Sequence, residues 1–194
     1  MRLLELLELE FDPLILRDIG IALGHLRDPR SIDLQLRFCL HPDWEVRYGV
    51  VIGLSGHEDE RAISGLIRLS GDVCPLIRDW ATFGLGTLIN VDTSAIREAL
   101  YQRLLAEDRQ DDDTKIYAEA LVGLANRQDD RILPQLISEL MSEDVSTLAI
   151  QAAEALADSR LYPALLQLQT WWEPTSDIED ALLACHPDIT NIAD

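Results

Sequence analysis

The chain has 194 residues, of which 47% are hydrophobic and 26% are charged, a composition typical of a folded globular protein. Its 35 acidic residues outnumber its 16 basic residues, giving a formal net charge of −19. This charge would repel a nucleic-acid backbone or an anionic membrane surface, and no apolar run approaches the roughly 20 residues that span a bilayer. We therefore expect neither nucleic acid nor membrane as a partner.

Apolar residues recur with the helical period along most of the chain. The helices that they predict cover residues 14–26, 31–40, 44–55, 62–67, 75–88, 96–104, 116–124, 132–141, 145–157, 161–169 and 177–185. Short polar connectors of similar sequence separate several of them: Asp28-Pro29-Arg30, Asp59-Glu60-Arg61, Asp129-Asp130-Arg131 and Asp158-Ser159-Arg160. No segment alternates in the manner of a strand, so the sequence predicts an all-α fold.

A small residue followed by leucine marks the middle of successive helices. The pairs are Ala22-Leu23, Gly53-Leu54, Gly84-Leu85, Ala120-Leu121 and Ala155-Leu156, at intervals of 31, 31, 36 and 35 residues. Such a period is typical of a stacked helical array, in which neighbouring units bury one another's apolar faces. We expect a single domain over residues 1–194, with an N-terminal segment or cap at 1–13, about five helix pairs at 14–170 and a C-terminal cap at 171–194.

Two of the helices share a longer motif. Val46-Arg47 precedes Gly53-Leu54 at the same spacing as Ile77-Arg78 precedes Gly84-Leu85. This pattern resembles HEAT repeats, and most closely the short bacterial subtype called PBS-lyase HEAT-like. The resemblance implies a right-handed α-α superhelix over about residues 14–170. Its members mostly serve as protein-binding scaffolds, while some relatives attach bilins and others act on DNA.

The arginine of this motif is absent from the outer repeats. Leu16, Thr114 and Ala149 occupy the position of Arg47 and Arg78, which predicts irregular outer repeats. Arginine pairs readily with carboxylates, so we expect Arg47 and Arg78 to join adjacent repeats through Asp43 or Asp72.

The second helix of each pair carries side chains on the face opposite to its buried face. Stacking would bring Ile21, Ile52 and Phe83 into one row, with Tyr48 and Asp79 beside it, and the row continues as Glu119 and Glu154. The resemblance implies that this helix lines the concave surface. An apolar row that leads into carboxylates is what a groove for a partner requires. The alternative is that a neighbouring helix or the segment 3–11 covers Ile52 and Phe83.

The tryptophans leave further alternatives open. We expect Trp44 and Trp80 to pack between repeats, with the alternative that their ring edges border the groove. Trp171 and Trp172 either cap the last repeat or form a second contact patch.

Nothing in the sequence predicts a catalytic, metal or cofactor site. The dispersed histidines and cysteines match no strong zinc pattern, and Asp111-Asp112-Asp113 lacks the glycine and terminal glutamate of a calcium loop. We expect residues 107–114 to form a solvated linker. Three cysteines, an odd number, favour reduced thiols and a cytoplasmic location.

Charge asymmetry separates the functional hypotheses. Residues 1–106 hold 16 acidic residues and 11 arginines, a net charge of −5, whereas residues 107–194 hold 19 acidic and 5 basic residues, a net charge of −14. The leading hypothesis is a monomeric, non-enzymatic scaffold that binds a protein with a basic surface. The alternative is an acidic inhibitor or immunity-type protein that blocks a basic protein such as a nuclease toxin. The third hypothesis is a subunit of a chromophore lyase. The simplest explanation of the charge asymmetry itself is that negative charge maintains solubility.

Overall fold

A computed structural model describes residues 2–107, 115–172 and 175–190. Within these ranges the regular secondary structure is helical throughout. The α-helices are α1 (Arg2–Leu9), α2 (Pro13–Leu26), α3 (Ile32–Leu36), α4 (Trp44–Leu54), α5 (Glu60–Leu69), α6 (Pro75–Phe83), α7 (Ser94–Ala106), α8 (Ile116–Ala125), α9 (Leu133–Leu140), α10 (Thr147–Leu156), α11 (Tyr162–Gln169), α12 (Ser176–Ala184) and α13 (Pro187–Thr190). None of these helices combines the length and apolar character needed to cross a membrane.

The helices form two rows. The even-numbered helices α2 to α12 contact one another in succession, and each packs beside the odd-numbered helix that precedes it. We call the even-numbered row the second-helix row and the odd-numbered row the first-helix row. This architecture is an all-α solenoid, which confirms the predicted fold class. At the two ends, α1 pairs with α2 and α12 with α11, so the described residues form six pairs where the sequence predicted about five.

The core runs between the two rows. Val46, Val50 and Leu54 of α4 are at most 4% exposed, and the corresponding Ile77 and Ala81 of α6 are fully buried, as the helical period predicted. Burying each large aliphatic side chain contributes about 1.5–3 kcal/mol. Stacking of one pair on the next therefore supplies the main stabilisation of the solenoid.

A small cluster closes the N-terminal end. Leu7 of α1 packs with Leu16, Ile19 and Leu23 of α2. Leu16 takes the position that arginine has in the inner repeats, and here an apolar residue is required because α1 covers it. The segment that the sequence left as a possible cover for Ile52 and Phe83 thus packs on α2 instead.

The connectors form a ladder of ion pairs along one edge. In each, the aspartate caps the next turn, and the arginine two residues later donates back to the same carboxylate, as Arg61 does to Asp59 at 2.9 and 2.8 Å. Arg61 also reaches Asp33 of the preceding pair at 2.7 Å. At the first connector, the hydrogen bonds from Arg30 hold the pKa of Asp28 at about 2.

Two arginines, Arg47 buried and Arg78 partly buried, join successive repeats. Arg47 donates to both carboxylate oxygens of Asp72 at 2.7 and 2.8 Å, which confirms the predicted partner. Arg78 differs from the prediction, because its carboxylate partner is Glu107, at 2.7 and 3.0 Å. Asp72 accepts a hydrogen bond from Arg78 through its backbone carbonyl and not through its carboxylate. Asp43 accepts from the backbone N–H of Glu45 and so caps α4.

Several local predictions need correction or fall outside the described residues. The helix predicted over 31–40 is a 3₁₀ turn, Pro29–Ser31, followed by α3, which ends at Leu36. Trp44, the first residue of α4, is 43% exposed, whereas Trp80 is half-buried and packs against the core. Residues 108–114, 173–174 and 191–194, which include the Asp111–Asp113 run, Thr114 and part of the predicted C-terminal cap, lie outside the described ranges.

Candidate functional site

A cavity of about 320 Å³ lies between α6 and α8 of the second-helix row. Asp79, Trp80 and Phe83 of α6 line one side, and Lys115 and Glu119 line the other. Three of the residues predicted for partner binding, Asp79, Phe83 and Glu119, therefore meet at one place. We call this space the α6–α8 cavity.

Aromatic rings form one wall of the α6–α8 cavity. The ring centroids of Trp80 and Phe83 are 5.9 Å apart with planes nearly perpendicular, and Tyr48 of α4 meets Trp80 edge-on at 6.5 Å. Edge-to-face pairs of this kind are favourable and fix the ring orientations. Tyr48, although it does not line the cavity, thus supports its wall from the neighbouring repeat.

Two half-buried carboxyl groups face the cavity from opposite helices. Asp79 Oδ1 accepts a hydrogen bond from the backbone N–H of Lys115 at 3.2 Å, and Glu119 Oε2 accepts one from the Thr87 hydroxyl at 3.3 Å. Burial raises the pKa of both carboxyls, and the negative charge of Asp79 raises that of Glu119 further. Within the described ranges no arginine pairs with either carboxylate, in contrast to Asp72.

The helix carrying the aromatic wall changes its winding at the end. The sequence predicted one helix to residue 88, but α6 ends at Phe83 and continues as a π-helical turn, Gly84–Leu88. The last carbonyl groups of a helix have no partner within the helix. Arg127, which follows α8, donates to two carbonyls of this turn, on Leu85 at 2.7 Å and Gly86 at 3.0 Å, and to that of Ile89, just after it, at 2.8 Å.

The same arginine joins α8 to the π turn. Arg127 Nη1 also donates to the carbonyl of Gly123, on α8, at 2.8 Å. Its side chain is 5% exposed, and burial lowers its pKa. The guanidinium thus fixes the position of the π turn relative to α8, and with it the separation of the two cavity walls.

Four of the predicted binding residues do not line the α6–α8 cavity. Ile21, Tyr48 and Ile52 are half-buried, and Glu154 is exposed on α10. Ile21 and Ile52 lie on α2 and α4. The backbones of these two helices are in contact, since a Cβ atom on Gly24 would lie 2.7 Å from the Ile52 carbonyl oxygen. Their role in binding stays a prediction.

Two contributions were not predicted from the sequence, since neither Lys115 nor Arg127 was assigned a role at the cavity. Trp80 both packs against the core and lines the cavity, two roles that the sequence left open. Lys115, the single lysine, follows the linker and so could not be placed on a helical face. The signal for Arg127 would have been the glycines Gly86 and Gly123, which lie on successive second helices and permit close approach.

A second cavity, of about 410 Å³, lies near the C-terminal end of the second-helix row. Trp171 and Trp172 border it with Ile150 of α10 and Asp177 of α12. The two indole rings lie 5.8 Å apart and nearly perpendicular, and Trp171 is half exposed. Trp172 therefore packs against the last repeats, while Trp171 leaves an apolar surface at this end.

The thiols and metal-ligating side chains show no reactive arrangement in the described part of the chain. Burial raises the pKa values of Cys39 and Cys185 to about 11, so both thiols stay protonated at neutral pH. Histidine, cysteine and acidic side chains do not converge on a common point suited to a metal ion within those residues.

The fold and the cavity define a helical-repeat solenoid with a lined recess on its second-helix row. Residues 1–86 match the family model of HEAT repeats. The chain is similar to Protein YibA of Escherichia coli K12 and of Escherichia coli O157:H7, with 33% identity over 120 residues, which are 62% of this chain and 41% of each relative. It therefore spans about two fifths of the length of these relatives.

Solved structures support the same architecture. The X-ray structure of Escherichia coli YibA superposes with a TM-score of 0.60 at 20% identity, covering 96% of this chain and 82% of that one. The crystal structure of an engineered protein gives a TM-score of 0.68 at 15% identity, covering 98% and 97%. At such identities the likeness shows the fold alone.

Proposed function

We propose that the chain is a non-enzymatic scaffold that binds a protein through its second-helix row. The observation that carries this proposal is the α6–α8 cavity, where aromatic rings and two half-buried carboxyl groups share one recess. Binding surfaces typically concentrate their affinity in such aromatic anchors surrounded by polar groups. The match of residues 1–86 to HEAT repeats supports a role in protein interactions.

The finer features of the proposal follow from charge and resemblance. The partner has a basic surface, because the net charge is −19 and the recess itself is acidic. The binding residues are Ile21, Tyr48, Ile52, Asp79, Phe83, Glu119 and Glu154, on what would be the concave face of a PBS-lyase HEAT-like superhelix. The scaffold acts as a cytoplasmic monomer.

Co-purification with paired variants tests this proposal. Ile52→Glu and Phe83→Glu place charges on the second-helix row, and Leu105→Glu and Leu166→Glu place them on exposed positions of the first-helix row. We expect the first pair to lose a partner that wild-type protein and the second pair retain, with all variants folded by circular dichroism. Full retention by the first pair would contradict the proposal.

The second candidate function is an acidic inhibitor or immunity-type protein for a basic toxin. It is favoured by the concentration of charge in residues 107–194, whose net charge is −14. Affinity would then depend mainly on long-range attraction and fall steeply between 50 mM and 500 mM salt, because the Debye length shrinks to a few ångströms. Binding that is insensitive to salt but lost in Phe83→Glu would favour the scaffold over the inhibitor.

A further inference from the structure

We propose that the α6–α8 cavity binds an arginine side chain of the partner. This inference rests on the proposed function and names the chemistry of its anchoring contact. The cavity offers a carboxylate from each of two helices, Asp79 and Glu119, and an aromatic wall of Trp80 and Phe83. A guanidinium group can pair with the carboxylates through its planar fork while its face lies on the rings.

The pairing of acids elsewhere in the fold shows what the cavity lacks. Asp72 and Glu107, whose side chains are 8% and 9% exposed, each receive two hydrogen bonds from one guanidinium. Asp79 and Glu119 instead receive one hydrogen bond each from an uncharged donor. A guest arginine would complete at this site the arrangement that the chain supplies internally at the others.

In the empty cavity, burial and mutual repulsion make the ionisation of Asp79 and Glu119 unfavourable. Both carboxyls have raised pKa values because they are buried, and the charge of Asp79 adds to the effect on Glu119. The Thr87 hydroxyl at Glu119, the Lys115 N–H at Asp79 and the charge of Lys115 oppose this rise without cancelling it. A cation between the carboxylates would relieve both contributions, so binding and ionisation favour each other.

The size of the cavity limits the guest. A volume of about 320 Å³ lies at the lower end of ligand sites, which extend to about 1,000 Å³. It suits one long side chain better than a folded element or a large cofactor. The rings are held by Tyr48 and the helices by Arg127, so little ordering is needed when the guest enters.

A small-molecule titration tests the cavity without knowledge of the partner. The probe is N-acetyl-arginine N-methylamide, and the matched control is N-acetyl-citrulline N-methylamide, which keeps the shape but lacks the charge. Indole N–H signals of ¹⁵N-labelled protein report the site, with the Trp80 signal assigned by Trp80→Phe. We expect a saturable shift of Trp80 with the arginine probe, smaller shifts of Trp44 and Trp171, and no saturable shift with citrulline.

Matched variants separate the cavity from the general acidity of the protein. We expect Asp79→Asn/Glu119→Gln to weaken probe binding by about tenfold or more, since each factor of ten corresponds to about 1.4 kcal/mol. Glu143→Gln/Asp144→Asn removes the same two charges from exposed positions and should leave the dissociation constant within about twofold.

Three results would overturn the inference. They are equal shifts with arginine and citrulline, equal losses in the two double variants, and tighter binding of the corresponding lysine probe. If the wild-type protein does not bind the arginine probe but Phe83→Glu still abolishes binding of the partner, only this inference is contradicted. If the probe binds but Phe83→Glu leaves binding of the partner unchanged, the proposed function is contradicted.

Discussion

Gly86 of the π turn and Gly123 of α8 meet backbone to backbone. A Cβ atom on Gly123 would lie 2.6 Å from the Cα atom of Gly86, closer than such atoms approach in folded proteins. The two glycines therefore set the separation of the helices whose side chains line the α6–α8 cavity. The close contact between the π turn and α8 therefore also positions the side chains of the candidate binding site.

Substitution at this contact should loosen the protein. Gly123→Ala forces α8 away from the π turn, and we expect a loss of about 1–3 kcal/mol in the free energy of unfolding, as for other overpacked sites. Gly71→Ala is the control, because its Cβ would meet only the Arg68 carbonyl oxygen, at 3.6 Å. Urea unfolding followed by circular dichroism measures both. Equal stability of the two variants would show that the contact is not tight.

The buried arginine should matter far more than the exposed ones. Arg127→Met leaves several buried carbonyls without donors, and we expect a loss of about 3 kcal/mol or more, since each unsatisfied group costs about 1–3 kcal/mol. Arg160→Met, which breaks an exposed connector pair, should cost no more than about 1 kcal/mol. Similar losses in both would mean that Arg127 does not hold the π turn.

Glu119 should destabilise the empty protein at neutral pH. Its folded-state pKa lies above the ordinary 4.5, so its stabilising contribution is present below pH 4.5 and is lost as the pH rises through the raised value. Glu119→Gln should therefore raise the melting temperature at pH 7, with a gain that shrinks as the pH falls through the raised pKa and is absent below about 4.5. Thermal unfolding across this range, with exposed Glu143→Gln as the control, measures the effect. A gain that is independent of pH would contradict the assignment.

The Arg47–Asp72 pair should show the opposite pH dependence. Burial alone would raise the pKa of Asp72, but the hydrogen bonds from Arg47 and from the Cys74 N–H bring it below 3.8. Its stabilising contribution is thus present above pH 3.8 and is lost as the pH falls through the lowered value. We expect Asp72→Asn to cost about 3–5 kcal/mol at pH 7, the range for breaking a buried pair.

A double-mutant cycle checks this pair. Arg47→Met/Asp72→Asn should cost less than the sum of the single substitutions, because it leaves no buried charge without a partner. Additive losses, measured by urea unfolding at pH 7, would mean that the two side chains do not interact.

The sequence predicted the repeating parts of the structure because repetition leaves a periodic signal. Val46, Val50 and Leu54 recur as Ile77, Ala81 and Leu85, and all six are buried. Helix boundaries were less predictable, since the π turn after Phe83 depends on Arg127, some 40 residues later in the chain. Local periodicity cannot reveal a hydrogen bond of that range.

The candidate site was predictable only in part. Placing Asp79 and Phe83 on one helical face required only the helical period, and the cavity includes both. The irregular interval across the linker obscured how α8 would face α6, so Lys115 was missed. Trp80 lies at the boundary between the buried and exposed faces, where spacing does not separate packing from cavity lining.

Site-specific photo-crosslinking in cells tests most directly whether the second-helix row is the working surface. A photoreactive phenylalanine at position 83 lies on the wall of the α6–α8 cavity, and the same residue at position 105 lies exposed on the first-helix row. We expect a discrete crosslinked protein from position 83 that is absent from position 105 and is lost when Asp79→Asn/Glu119→Gln is added. The same crosslink from position 105, or none from position 83, would contradict the account.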